Sequence, residues 1–188
     1  MEQNLIFNVA QLLKEPTGAA RAVTVVAGLF HLTPELVQEM ADDAPEPLLT
    51  GPIRLIRTGN DILVTGHLSA ELTLPCARCL EPVEIPLDIE LAEVFTPTLD
   101  IVTGQALVPE EEDPALWIDE HHLLDLTEVL RQDVLVGLPM HPLCQEDCHG
   151  LCASCGQNLN EGICDCKPEP DPRWAGLAAL LKTENLSN

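Results

Sequence analysis

Two stretches of strict alternation stand out along the chain. Leu68, Ala70, Leu72 and Leu74 alternate with Ser69, Glu71 and Thr73. Val83, Ile85, Leu87, Ile89 and Leu91 then alternate with Glu84, Pro86, Asp88 and Glu90. Side chains on a strand point to opposite faces in turn, so this spacing predicts an antiparallel hairpin with one buried and one wet, acidic face. Pro86 cannot donate to a ladder, which places its strand at an edge or a bulge. The connection between the runs holds Cys76-Ala-Arg-Cys79 at the hairpin tip, where both thiols are expected to point outward.

Weaker patterns fill in the rest. Leu5 to Leu13 is a mixed apolar segment, strand or short helix, and the β-branched run Ala22 to Phe30 reads as a strand. Thr33-Pro34-Glu35 supplies a helix N-cap, a proline at the first helical position and an early acid, so a short helix is expected through Met40. Asp42 to Pro52 contains three prolines and reads as loop. Ile53 to Arg57 is a short strand closed by the turn signal Gly59-Asn60-Asp61. Asp125-Leu-Thr-Glu128 is a variant capping box opening a helix to about Val136, with Leu126, Val129, Leu130 and Val134 on one side and Gly137 and Pro139 ending it. A last helix begins at Asp171-Pro172, with Trp174, Leu177, Leu180 and Leu181 as its apolar stripe.

These elements describe an α+β protein: mainly antiparallel sheet with a long hairpin, a few short helices and a C-terminal Cys-rich zinc-knuckle module. The expected division is a β-rich domain over 1–96, an acidic linker over 97–114 containing Glu110 to Asp113, and a unit over 115–188 with helix, cysteine module and final helix.

Composition sharpens the picture. Apolar residues are 46% of the 188, enough for a core, yet aromatics are only 3%, so that core is aliphatic. The net charge is −22 with nine basic residues. Affinity for nucleic acid rests on Lys and Arg displacing counterions, and single-strand binders stack bases on aromatics; this chain lacks both resources. Direct, extensive RNA contact is disfavoured and a basic protein partner is favoured. No window is apolar enough to span a membrane, and the Met1 to Asn8 segment has no secretory signal pattern, so a cytoplasmic location is expected.

Under reducing conditions, dense cysteines point to metal rather than to structural disulfides. Cys152-Ala-Ser-Cys155-Gly156 has the form of a zinc knuckle, in which two thiolates converge and the glycine relieves crowding. Cys164-Asp-Cys166 returns to the same ion. The remaining thiols, Cys76, Cys79, Cys144 and Cys148, form a second set of four, although a single site drawing on Cys144 or Cys148 fits the spacing almost as well. Iron–sulfur ligation is the rival chemistry. His141 and His149 flank the cysteines and are not assigned as ligands. Arg78 is expected to lower the thiol pKa values of its neighbours. The other function class is a thiol- or metal-dependent enzyme using Cys76 and Cys79, but no helix beside a parallel sheet frames that pair, as a redox Cys-x-x-Cys requires.

The segments Leu74-Pro-Cys-Ala-Arg-Cys79, Gly137-Leu-Pro139, Cys148-His-Gly-Leu-Cys-Ala-Ser-Cys-Gly-Gln-Asn-Leu-Asn160, Cys164-Asp-Cys166 and Asp171-Pro-Arg173 together resemble the YceD family. The resemblance implies a non-enzymatic factor in large ribosomal subunit biogenesis that supports accumulation of the large-subunit rRNA, working on a pre-ribosomal particle, with a metal-binding C-terminal segment. Some members of that family keep the hairpin pair and lack the C-terminal cysteines, which implies a separate role for Cys76 and Cys79. A basic ribosomal or assembly protein is the partner that the acidity suggests.

Overall fold

The computed structural model describes residues 5–34, 36, 46–108, 113–166 and 173. Its centre is a five-stranded sheet in the order β2 (Ala20–Gly28), β3 (Leu48–Thr58), β4 (Asp61–Pro75), β5 (Pro82–Pro97), β6 (Trp117–Ile118). The first four strands form an antiparallel meander, and β6 joins the end of β5 in parallel through Thr96 and Pro97. A second, two-stranded sheet pairs β1 (Ile6–Asn8) with β7 (Leu123–Asp125). A short helix α1 (Leu29–Leu32) follows β2, and α2 (Thr127–Gly137) follows β7.

The alternation in sequence becomes the two faces of the sheet. Leu68, Leu72, Leu87 and Leu91 are fully buried, while Ser69, Glu71, Asp88 and Glu90 on the same strands are exposed. Val25, Leu49, Ile53, Ile62, Val64 and Phe95 extend the buried face. Leu12, Leu29, Leu124 and Leu126 cover it together with Val129, Leu130 and Val134 of α2. The helix therefore buries the stripe that its spacing predicts. Asp125 sets its start by accepting from the Thr127 N–H (2.9 Å) and hydroxyl (2.6 Å). A continuous aliphatic core of this kind is the main source of stability in a chain so poor in aromatics.

Several boundaries differ from the sequence reading. The segment 5–13 contains both a strand and a 3-10 turn at Leu12–Lys14. The strand expected to reach Phe30 ends at Gly28, and Leu29 starts α1. Thr33 closes that helix, its N–H and its hydroxyl both donating to Leu29 O at 2.8 and 2.9 Å, and it also opens a 3-10 turn at Pro34, its carbonyl accepting from Leu36 N–H at 3.1 Å. The remainder of the helix expected through Met40 lies outside the described residues. Leu48 to Pro52, read as loop, is strand; Pro52 sits where the β3–β4 ladder skips Gly51 and Pro52. Pro86 lies on β5 opposite Glu71, and among the described residues no strand pairs with the other side of β5 until Thr96, so the edge placement holds.

Strand pairings cross the expected 97–114 connection, since β6 joins β5 and β7 joins β1. Residues 98–107 of that connection are structured: Leu107 N–H donates to Thr98 O, Thr98 N–H and its hydroxyl donate to Ile118 O, and Asp100 caps its own turn by accepting from Val102 and Thr103 N–H. Glu110, Glu111 and Glu112 and the final helix with Trp174 lie outside the described residues. Among the described residues no helix is long and apolar enough to cross a membrane.

The hairpin positions the site. With 15 and 16 residues in its two strands it is about 50 Å long at ~3.3 Å per residue. The β3 pairing stops at Thr50–Ser69, so beyond Ser69 the hairpin runs on as a two-stranded ribbon. Such a ribbon is marginal in water by itself. Its tip is covered by the chain leaving α2.

Candidate metal centre

The tip is a tight loop, Cys76 to Glu81. Cys76 N–H donates to Glu81 O (2.8 Å), Leu80 N–H donates to Cys76 O (3.0 Å), and Arg78 N–H points at Cys76 Sγ (3.5 Å). Leu80 closes the turn in the left-handed region, at φ 64°. The second Cys-x-x-Cys repeats this arrangement bond for bond. Cys152 N–H donates to Gln157 O (2.8 Å), Gly156 N–H donates to Cys152 O (2.8 Å), and Ser154 N–H points at Cys152 Sγ (3.4 Å), with Gly156 at φ 75°. The two loops are the same knuckle, one closed by glycine and the other by leucine.

Each knuckle meets a second pair of thiols. Cys76, Cys79, Cys144 and Cys148 gather with all four sulfurs within 4.8 Å of one another, and Cys152, Cys155, Cys164 and Cys166 do the same. In the first cluster Cys76 Sγ lies 3.8 Å from Cys148 Sγ, and Cys79 Sγ lies 3.6 Å from Cys144 Sγ. A disulfide needs about 2.05 Å. A tetrahedron of thiolates at ~2.3 Å from one ion has edges of about 3.8 Å. The spacing suits a single four-coordinate ion, and it is too tight for a cluster that spreads its ligands over several irons. The donor set therefore fits a metal such as Zn²⁺, with all four positions filled by sulfur.

The clusters differ in setting. Cys76, Cys79 and Cys148 are buried and packed against Val83, Leu143 and Leu151, leaving Cys144 at the surface. The thiols of the hairpin pair do not point outward, because the 142–151 segment lies over them and Ala77 N–H donates to Pro142 O (2.8 Å). Cys152 and Cys164 are half-buried, and Cys155 and Cys166 are exposed.

Arg78 does something other than the sequence suggests. Its guanidinium donates to Cys148 O (2.9 Å) and reaches Glu146 O (3.5 Å), tying the hairpin tip to the covering segment. Gly150 makes the close fit possible: it sits at φ 73°, and a Cβ there would lie 3.0 Å from Arg78 O. Cys76 is pulled down to about 6 from an ordinary 9.0 chiefly by the backbone amides of Cys79 and Arg78, not by the guanidinium. Cys152 falls to about 6 for the same reason, through the amides of Cys155 and Ser154. Cys148 is lowered first by the side-chain amide of Asn160. Opposing these, burial and then the Cys148 thiol push Cys144 up to about 12, and the Cys155 thiol and burial push Cys166 up to about 12. Each cluster thus has a sulfur prepared to ionise and a sulfur that resists while its neighbours are anionic. A divalent cation relieves that conflict.

Asn160 is the residue that sequence reasoning missed. Its side-chain oxygen accepts from His149 N–H (2.8 Å), and its NH₂ donates to Cys148 Sγ (3.3 Å). Its place in Asn158-Leu-Asn160 looks like ordinary turn chemistry, and only the fold brings it to the sulfur. The two histidines left unassigned, His141 and His149, are in neither group of four.

The profile of the family described as "Large ribosomal RNA subunit accumulation protein YceD" matches residues 64–181. An uncharacterized protein of Mycobacterium tuberculosis is 34% identical over 138 residues, covering 73% of this chain and 64% of the relative. The Bacillus subtilis protein YlbN is 32% identical over 126 residues, covering 64% and 66%. The Arabidopsis thaliana protein named "Large ribosomal RNA subunit accumulation protein YCED homolog 1, chloroplastic" is 26% identical over 155 residues, covering 70% and 48%. The chain thus spans just under two thirds of the length of that Mycobacterium tuberculosis relative. No solved structure matches it. The match runs from the first strand of the long hairpin, β4, through both cysteine clusters, and the chain belongs to the YceD family.

Proposed function

We propose that this chain is a non-enzymatic zinc-binding factor that supports accumulation or processing of the large-subunit rRNA, acting on a pre-ribosomal particle in the cytoplasm through a basic ribosomal or assembly protein. The observation that carries the reading is family membership across the segment that holds both cysteine clusters. The plant relatives are named for large-subunit rRNA accumulation. Two sets of four thiols with no vacant coordination position are the structural type of zinc site, which holds a fold rather than activating water. The enzyme alternative using Cys76 and Cys79 loses support from the same geometry, since both sulfurs are buried and already facing other thiols.

The partner follows from electrostatics. At −22 the chain repels phosphate and attracts cationic protein. Glu71, Glu84, Asp88 and Glu90 stand on the wet face of the hairpin at neighbouring register positions. Like charges at such spacing cost stability, so a basic surface docked there gains from relieving them.

The test is replacement of the family member in a bacterium by this chain, with the ratio of large- to small-subunit rRNA as readout. The intact chain is expected to maintain the ratio, and the double variant Cys76→Ser, Cys148→Ser to lower it. A chain with all eight cysteines replaced that maintains the ratio would remove metal from the function. Affinity capture that recovers rRNA stripped of basic proteins would overturn the partner.

A further inference from the structure

The two thiol clusters are joined at one side chain. Asn160 belongs to the loop of the exposed cluster, between Cys155 and Cys164, and that loop is held by the Leu151–Asn158 bridge and by Leu159 N–H donating to Gly150 O (2.8 Å). Its amide leaves that loop and ends on the buried cluster: NH₂ on Cys148 Sγ, oxygen on the His149 N–H. Gln145 NH₂ also reaches the same oxygen, at 3.3 Å, from the other side of Cys148. Asn158 adds a longer contact from the same loop to Glu81 Oε1 on the hairpin (3.5 Å).

Among the described residues the exposed cluster has little else to hold it. The buried cluster rests on Val83, Leu143 and Leu151, whereas Ala153, Ser154, Cys155, Gly156 and Gln157 are all exposed. A loop with few buried contacts opens readily, so its order depends on whatever ion it carries. When it opens, Asn160 is withdrawn and Cys148 loses an N–H···S donor. Hydrogen bonds to a ligating sulfur fix its orientation and disperse its charge, and losing one such partner typically costs 10–100-fold in metal affinity.

We propose that Asn160 is a positioning residue that makes metal loading cooperative: an ion in the exposed cluster orders the 152–166 loop and thereby tightens the buried cluster. Linkage requires the reverse as well, so the buried ion strengthens the exposed site by the same factor. The exposed cluster then reports metal supply to the hairpin tip. This rests on the reading of both clusters as metal sites.

The experiment is competition of the full chain against a chromophoric chelator, using Co²⁺ alone and following thiolate-to-metal charge transfer. Four proteins are compared: the natural sequence, Asn160→Asp, the double variant Cys155→Ser, Cys166→Ser, and all three changes together. Asn160→Asp keeps the acceptor for His149 N–H and removes the donor to Cys148. Disabling the exposed cluster is expected to weaken the buried site by roughly 10-fold or more in the natural background. Adding it to Asn160→Asp is expected to produce little further loss. Equal losses in both backgrounds, or no loss in either, would overturn the coupling while leaving two metal sites standing. Absence of any charge-transfer band in the natural sequence would instead overturn the metal reading and the coupling with it. Circular dichroism of each chelated variant separates misfolding from weakened binding.

Discussion

The equivalence of the two knuckles makes Leu80 a sharp test. It stands at φ 64°, where an L side chain crowds its own carbonyl, and the matching position in the other loop is Gly156. The left-handed conformation costs a non-glycine residue about 1–2 kcal/mol. Leu80 is 64% exposed, so little apolar burial offsets that strain. Leu80→Gly removes the strain and adds about 0.5–1 kcal/mol of backbone freedom to the unfolded chain. The net expectation is a gain of about 0.5–1 kcal/mol, a rise of roughly 1–4 °C in Tm for a chain of this size. Leu80→Ala trims the side chain but keeps the strain, and should leave Tm nearly unchanged. The converse change, Gly156→Ala, meets no atom within 4 Å, so it isolates the backbone term and should lower Tm by about 1–4 °C. Thermal unfolding by circular dichroism, metal-loaded and at constant pH, reads all three. If Leu80→Gly destabilises as much as Gly156→Ala does, the two loops are not the same knuckle.

Other consequences can be checked separately. Glu128 is held near 2 by the Arg131 and Gln132 side chains, below an ordinary 4.5, so its contribution is complete above pH 4.5 and fades as pH falls through 2. Glu128→Gln should therefore lower Tm at pH 6 and have no effect near pH 2. Phe95 is fully buried, and Phe95→Ala should cost about 3–5 kcal/mol in denaturant unfolding. Arg78→Ala removes the tie to Cys148 O and should speed metal loss to a chelator from the buried cluster, with the exposed cluster less affected.

What the sequence made legible, and what it hid, follows from range. The hairpin was readable because period-2 alternation over many residues has one explanation, and the helix stripe Leu126, Val129, Leu130 and Val134 for the same reason. The cysteines sort into two groups of four because each Cys-x-x-Cys loop aims its own pair. The β1–β7 pairing was not readable: three residues per strand carry no periodicity, and their partners are over a hundred positions apart. Thr33-Pro34 signals a helix boundary, but the same hydroxyl serves as well at the end of one helix as at the start of another. Pro52 reads as a break, yet the ladder gap beside it lets the strand continue. Leu80 gave no hint of a left-handed turn, since composition marks that conformation only when glycine or asparagine fills it. Arg78 and Asn160 act on atoms far away in sequence, so their roles emerge only once the 142–160 segment folds over the hairpin tip.

The two clusters as single-ion sites are the centre of the account. Native mass spectrometry of protein purified without added metal, paired with X-ray absorption at the zinc edge, tests this most directly. Two zinc ions per chain, each with four sulfur neighbours near 2.3 Å, are expected. A folded chain carrying no metal, or one carrying iron and inorganic sulfide, would contradict it.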